Sequence, residues 1–183
     1  MNDDSIEAAE ALGGPEGVRQ LVEGLEGAVT ETKIEEVAEA VLDAILRLSS
    51  DAKSPEALAS LGKYTNTFAK VLEAFLEEVT VLEVLFAVLH KMIPMSEDPA
   101  TSFESSRANI ANVLKAMDTH SEGEETLIEY GCQVINAMAK GNDEAAKILI
   151  EEGAEERLNA AKKIITNERN QKYVVQARAT LKL

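Results

Sequence analysis

Two histidines and one cysteine are the side chains in this sequence best suited to metal binding or nucleophilic catalysis. His90 and His120 are 30 residues apart, and neither has a Cys or a second His at the spacing that zinc sites use. Cys132 has no adjacent histidine to activate it, so we interpret it as a small core side chain rather than a nucleophile. The glycine-containing turns lack Gly-x-Gly-x-x-Gly and Gly-Lys-Ser/Thr, the phosphate-binding patterns. The sequence therefore predicts no metal site and no cofactor.

Paired acidic residues are frequent, and two carboxylates can act as general acid and base when they share a pocket. The pairs are Glu35-Glu36, Glu77-Glu78, Glu124-Glu125, Glu151-Glu152 and Glu155-Glu156. Such pairs are typical of solvated helix faces and of first helical turns, where negative charge interacts favourably with the helix dipole. Nothing in their spacing indicates a shared pocket, so we expect a protein that is not an enzyme.

Composition and charge limit the fold class and the partners. The 183 residues are 45% hydrophobic and only 4% aromatic, with no Trp and four Pro, which favours helices built on Ala and Leu. The net charge of −15 repels phosphate backbones and anionic lipids, so nucleic acid and membrane surfaces are not expected as partners. The charge is also uneven. Residues 1–48 hold 12 acidic and 3 basic residues, whereas residues 154–183 hold 3 acidic and 7 basic residues.

Neither targeting signals nor a membrane span are expected. The first residues are acidic and contain no apolar run, unlike a signal peptide or a transit peptide. The longest apolar stretch, 79–93, is too short to cross a bilayer and is interrupted by Glu83, His90 and Lys91. A single cysteine fits a reducing compartment. We therefore expect a cytoplasmic protein.

Apolar residues recur at helical spacing along most of the chain. Phe68, Val71, Leu72 and Phe75 follow the pattern i, i+3, i+4, i+7, and two further sets do the same near residues 18–25 and 110–117. No segment alternates with period two, so no strands are predicted. Turn residues separate the helices. They predict N-caps at Thr30 or Thr32, at Ser105 or Ser106 and at Asp143, and a helix-terminating glycine at Gly153.

Similar long-helix segments recur at intervals of more than forty residues. They begin at Thr32, Thr80 and Thr126, with offsets of 48 and 46, and Tyr173 aligns with Tyr130 at an offset of 43. The sequence therefore predicts one domain, 1–183, made of four units at about 3–48, 53–93, 98–140 and 143–183. Each unit has a short, a medium and a long helix. One such unit cannot bury its apolar stripe alone, so the units must stack.

The chain resembles the armadillo repeat family, and residues 122–166 carry most of the likeness. Residues 129–139 (EYGCQVINAMA) look like the family's third helix, residues 141–153 (GNDEAAKILIEEG) look like its first helix, and 154–165 look like its second. Over residues 1–121 the likeness rests on layout and spacing. The resemblance implies an all-α, right-handed α-solenoid of four three-helix repeats. HEAT repeats, which have two helices per unit, are the alternative.

The resemblance also implies where a partner would bind. In peptide-binding armadillo proteins, a Trp and an Asn four residues later line the concave side of the third helices. Asn136 matches that Asn, while Cys132 stands at the Trp position; the equivalent pairs are Ala38–Leu42, Phe86–His90 and Val175–Ala179. The implied groove would begin at Glu35 and Glu39 and would be lined by Phe86, His90, Glu129, Gln133, Asn136, Arg178 and Lys182. Its charge would change from acidic to basic along the array.

The last helix is apolar on more than one face, through Tyr173, Val174 and Leu181 among others. Solenoids usually have polar end units, so this helix is expected to dock on a partner, on a second copy or on further repeats. The expected function is a scaffold that binds a protein or an extended peptide along its concave surface. The alternative is a structural subunit of a larger cytoskeletal or ciliary assembly, attached through the apolar C-terminal end.

Overall fold

The computed structural model describes residues 15–29, 34–50, 59–96 and 102–183, with backbone alone for 49 and 50. These residues contain nine α-helices and no strand, as predicted for an all-α protein. The helices are α1 (Pro15–Gly27), α2 (Glu35–Ser50), α3 (Thr65–Ala74), α4 (Val79–Met92), α5 (Arg107–Thr119), α6 (Glu125–Ala139), α7 (Asp143–Glu151), α8 (Ala154–Ile164) and α9 (Gln171–Leu181). Short 3₁₀ turns occupy Gly62–Tyr64, Ile93–Met95 and Phe103–Ser105.

The helices form two layers. The long helices α2, α4, α6 and α9 lie side by side, and each contacts the next one along the chain. The helices α1, α3, α5 and α8 form a second row in the same order, and each also contacts the long helix that follows it. Every unit therefore packs on its sequence neighbours, which is the arrangement of a helical solenoid. The all-α solenoid is confirmed, while its handedness and the unit boundaries stay predictions.

The third and fourth units show the three-part layout. In the fourth unit, α7, α8 and α9 follow one another as first, second and third helix. In the third unit, the 3₁₀ turn Phe103–Ser105 precedes α5 and α6. The first element expected for unit one and the caps expected at Thr30 or Thr32 lie outside the described residues, and of the first element expected for unit two only the helical residues 59–61 are described. Buried side chains from all four units join into one continuous apolar core.

Side-chain hydrogen bonds between units reproduce the period seen in the sequence. Thr67 Oγ1 donates to Glu26 over 2.7 Å, and Thr80 Oγ1 donates to Glu35 over 3.1 Å; these partners are 41 and 45 residues apart. His120 Nε2 lies 2.9 Å from the carbonyl oxygen of residue 76, a separation of 44 residues. These bonds connect equivalent parts of adjacent units, so the structure supports a repeat in the forties.

Two helix starts illustrate how local chemistry sets the helix bounds. The side chain of Ser106 accepts a hydrogen bond from Asn109 N at 3.4 Å and caps α5, as the sequence predicts. At α7 the cap is Asn142, whose Oδ1 accepts from Ala145 N at 3.0 Å, so the prediction of Asp143 was wrong by one residue. Asn142 has extended backbone, with φ −129°, and its amide reaches the third helical N–H, which leaves Asp143 as the first helical residue.

The turn between α7 and α8 lies within the fourth unit. Gly153 has φ +87°, which lets the chain reverse between the two helices without a Cβ penalty, as expected for a helix-terminating glycine. The Arg157 guanidinium covers this turn and donates through Nη1 to the carbonyls of Glu152 and Gly153 at 3.2 and 3.0 Å. Its Nη2 also donates to Asp118 of α5 at 2.6 Å. One arginine thus completes the end of α7 and ties α8 to the preceding unit.

Candidate protein-binding face

The two interior long helices, α4 and α6, each present an exposed stripe. From residue 129 onward, the partly exposed positions of α6 are Glu129, Tyr130, Gln133, Asn136 and Ala137, and the residues between them are buried. A helix with 3.6 residues per turn places positions of this spacing on one side. We call the surface made by these positions, with Glu83 and His90 of α4 and Lys172, Tyr173 and Gln176 of α9, the outer face.

Five side chains lie near one another on the outer face. The His90 ring of α4 stacks on Tyr130 of α6, with ring centroids 6.0 Å apart and an interplanar angle of 26°. Glu83 of α4 and Tyr173 of α9 lie close enough to Tyr130 to influence its ionisation. Glu129 follows on α6 and accepts a hydrogen bond from Asn170 Nδ2 at 2.6 Å. We call Glu83, His90, Glu129, Tyr130 and Tyr173 the acidic–aromatic cluster.

The two carboxylates of this cluster are held in an environment that disfavours their charge. Partial burial raises the pKa of Glu83 above its usual value of 4.5, and the nearby charge of Glu124 raises it further. Burial also raises the pKa of Glu129, although the hydrogen bond from Asn170 opposes this effect. No salt bridge in the described ranges involves Glu83 or Glu129. Both carboxylates are therefore partly buried without a salt-bridge partner among the described residues.

The aromatic side chains of the cluster are uncharged or lie next to a cation. Burial, followed by the charges of Glu129 and Glu83, raises the pKa of Tyr130, which keeps the phenol neutral. Burial lowers the pKa of His90, and its Nδ1 atom is buried without a hydrogen bond. At the edge of the cluster the Lys172 ammonium lies 4.7 Å from the centroid of the Tyr173 ring. The cluster therefore already contains one cation–π contact.

Asn136 lies on the outer face, and it is linked to the next unit. Its Oδ1 accepts a hydrogen bond from Thr180 Oγ1 of α9 at 2.7 Å. Gln133 lies one turn earlier on the same stripe and is partly exposed. Four residues expected to line the groove thus lie on the outer face of α4 and α6: His90, Glu129, Gln133 and Asn136. Their role in binding is a proposal.

Other residues expected to line the groove lie elsewhere. Phe86 is fully buried, at 0% exposure, so the expectation that its ring faces a ligand was wrong. Arg178 points to α8, where its Nη1 donates to Asn159 at 2.6 Å, so it borders the end of the solenoid rather than the outer face. Lys182 caps α9 in the left-handed region, with φ 60°. In the docking face proposed for the C-terminal helix, Val174 and Leu181 are buried, and only Tyr173 remains partly exposed.

The sequence contained a signal for the cluster that motif reasoning missed. Glu83 and Glu129 are equivalent at an offset of 46, and Tyr130 and Tyr173 are equivalent at an offset of 43. Polar residues repeated at one helix position mark an exposed stripe, whereas the apolar Trp-position residues mark a buried one. The exposed side of each long helix is therefore identified by the repeat positions of Glu129 and Tyr130 and not by the repeat position of Cys132.

Cys132 and the remaining titratable groups form no second site in the described residues. Burial, and then the charge of Glu129, raises the pKa of the Cys132 thiol to about 12, so it stays protonated. In residues 15–29, 34–50, 59–96 and 102–183, no three His, Cys, Asp or Glu side chains are arranged to hold a metal ion. The same residues contain no helix with the length and apolar character needed to span a membrane.

Comparisons with known proteins add only a distant structural likeness. No family model matches the sequence, and no curated protein matches it. A designed armadillo repeat protein in complex with the peptide (KR)4 aligns over 97% of this chain and 91% of its own, with 16% identity and a TM-score of 0.37. A second designed armadillo repeat protein aligns over 96% and 90%, with 18% identity and a TM-score of 0.35. At these scores the assignment of a helical solenoid rests on the helix contacts described above.

Proposed function

We propose that this chain is a non-enzymatic scaffold that binds an extended, basic segment of a partner protein along the outer face. The observation that carries the proposal is the acidic–aromatic cluster. Its two carboxylates have raised pKa values and form no described salt bridge, and the Lys172 ammonium offsets the charge of Glu129 only in part. Three long helices contribute side chains to it, so a bound segment would cross the helices rather than lie along one of them.

A lysine or arginine side chain fits the cluster on physical grounds. Its charge would pair with Glu83 and Glu129 while its stem packs against the phenol rings, and a cation over a tyrosine face contributes about 0.5–2 kcal/mol. Asn136 and Gln133 lie further along the same stripe and can hydrogen-bond to a peptide backbone. The cluster would select the cation, and the amides would hold the chain beside it.

Removal of the two carboxylates is expected to weaken this binding. We expect Glu83→Gln/Glu129→Gln to reduce the affinity for the probe peptide (KR)4 about tenfold, or about 1.4 kcal/mol, because two charge-assisted contacts become neutral. Fluorescence anisotropy with labelled (KR)4 at physiological salt measures the change. A peptide of alternating Asp and Glu, equal in length, should not bind.

The control for this experiment separates a local site from general attraction to an acidic protein. Glu73→Gln/Glu144→Gln removes the same charge from exposed positions on α3 and α7, outside the long-helix layer. This variant should bind (KR)4 within about twofold of the unaltered chain, since exposed charges further than a Debye length away are screened. An equal loss in both double variants would contradict the proposed site.

Binding is also expected to depend on pH in a window above that of ordinary carboxylates. A carboxyl group with a raised pKa loses its charge at a higher pH than an exposed glutamate does, so the attraction fades as the pH falls through that raised value. Affinity for (KR)4 should therefore begin to decrease, as the pH is lowered from neutral, before exposed glutamates titrate. The decrease should be much smaller in Glu83→Gln/Glu129→Gln and should persist in His90→Gln. Loss of the pH dependence in His90→Gln would assign it to the imidazole instead.

A further inference from the structure

Three of the five exposed large apolar side chains in the described residues lie at the two ends of the long-helix layer; the other two are Met95 and Ile150. Val175 of α9 is 65% exposed, and Ile34 and Val37, beside and within α2, are 41% and 39% exposed. Elsewhere in the layer the equivalent positions are covered. Among the described helices, each interior long helix has a long-helix neighbour on both sides, whereas α2 and α9 each contact one long helix.

The C-terminal end face is an apolar groove with a basic rim. Val175 occupies the repeat position of Phe86 and Cys132, both 0% exposed. Beside it lies an open depression of about 430 Å³ between α8 and α9. We define the C-terminal end face as the lining residues Lys162, Val175, Arg178, Ala179 and Leu183. The groove has the apolar character of a unit interface, with two cationic side chains beside it.

The N-terminal end face has the opposite charge. Ile34 and Val37, which define it, occupy the repeat positions of Leu82 and Leu85 on α4, both of which are fully buried. The surrounding unit is acidic. Within residues 15–29 and 34–48 the sequence holds 7 acidic and 2 basic residues, against 3 acidic and 7 basic in residues 154–183. The two end faces therefore match in apolar character and repeat register, and they are complementary in charge.

We propose that the C-terminal end face binds the N-terminal end face of a second copy of this chain, so that α9 of one copy packs beside α2 of the next as α6 packs beside α9. The uncovered apolar residues of both faces become buried, and Lys162 and Arg178 meet an acidic unit. Pairing of two C-terminal end faces would bring like charges together, which opposes that arrangement. A head-to-tail contact does not close on itself, so assembly grows with concentration.

Two variants that each block one end test this arrangement. Val175→Glu places a charged carboxylate in the apolar groove, and Val37→Lys places a cation on the face that must receive a basic end. Both positions are exposed, so the fold is expected to survive, and thermal melts by circular dichroism check this for each variant. Light scattering from micromolar to millimolar protein measures the weight-average mass.

The expected result is specific to the head-to-tail contact. The unaltered chain increases in mass with concentration, each variant alone stays at the monomer mass of 19.8 kDa, and an equal mixture approaches twice that mass without growing further. The mixture recovers one contact because one variant keeps an intact N-terminal end face and the other an intact C-terminal end face. A monomeric unaltered chain at all concentrations overturns the proposal, as does a mixture that stays monomeric. Self-association by Val37→Lys but not by Val175→Glu would also overturn it, in favour of pairing between C-terminal faces.

Discussion

Phe86→Ala is expected to lower the free energy of unfolding by about 3–5 kcal/mol, the range measured for removal of a buried aromatic ring. Phe86 is fully buried at the centre of the long-helix layer, where α4 packs between α2 and α6. Truncation leaves a cavity that rigid neighbouring helices fill only in part. Urea denaturation followed by circular dichroism measures the change in the midpoint and in the extrapolated free energy.

Val175→Ala is the matched control, because Val175 occupies the same repeat position but is 65% exposed. In dilute protein its effect on stability should stay within about 0.5 kcal/mol, as for other surface substitutions. Comparison of the two variants therefore separates the effect of burial on stability from the effect of repeat position. If Phe86→Ala kept full stability but lost the binding of (KR)4, the aromatic ring would belong to the binding surface and the core placement would be contradicted.

Gly131→Ala is expected to destabilise the protein even though alanine favours helices. A Cβ atom at this position would lie 2.7 Å from Sδ and 2.8 Å from Cγ of Met117, whose side chain is 2% exposed. Overpacking of this kind costs about 1–3 kcal/mol, and the gain in helix propensity offsets about 1 kcal/mol of it. The net loss of up to about 2 kcal/mol can be measured by urea denaturation.

Gly24→Ala is the control, since Gly24 is also inside a helix but has room for a methyl group. Its nearest neighbour, Val41 Cγ2, would be 4.0 Å from the new Cβ, so the substitution should stabilise the chain by about 0.5–1 kcal/mol. Shortening the opposing side chain in Met117→Val should reduce the cost of Gly131→Ala in a double-mutant cycle. Equal stability of the Gly131→Ala and Gly24→Ala variants would contradict the close packing of α6 on α5.

The fold could be predicted from sequence because its signals are local or periodic. Apolar spacing predicted the helices, repeated segments predicted the stacked units, and single side chains such as Ser106 and Gly153 predicted where helices begin or end. Each of these features depends on a few neighbouring residues or on one recurring offset. The inter-unit hydrogen bonds then appear at separations that the offsets had already indicated.

The candidate site was harder to predict because it depends on the rotation of each helix about its axis. A rotation of about 100°, the angle between successive residues, separates an outer position from a buried one. Aligning Cys132 with a tryptophan of the armadillo groove placed Phe86 on the outside, although an apolar side chain at that position suits the core equally well. From the sequence, Arg178 was assigned to the groove. Its contact with Asn159 could not be foreseen, because it depends on how α8 and α9 pack, which no local pattern shows.

The hydrogen bonds between units have a mechanical consequence. Asn170 to Glu129, Thr180 to Asn136 and Arg157 to Asp118 each join one unit to its neighbour, spanning 39 to 44 residues. Under a pulling force on the two ends, the unit interfaces carry the load in series, so the weakest interface separates first. We would expect the chain to lengthen in steps of about one unit. When the force is released, the separated units should stack again and the chain should regain its original length.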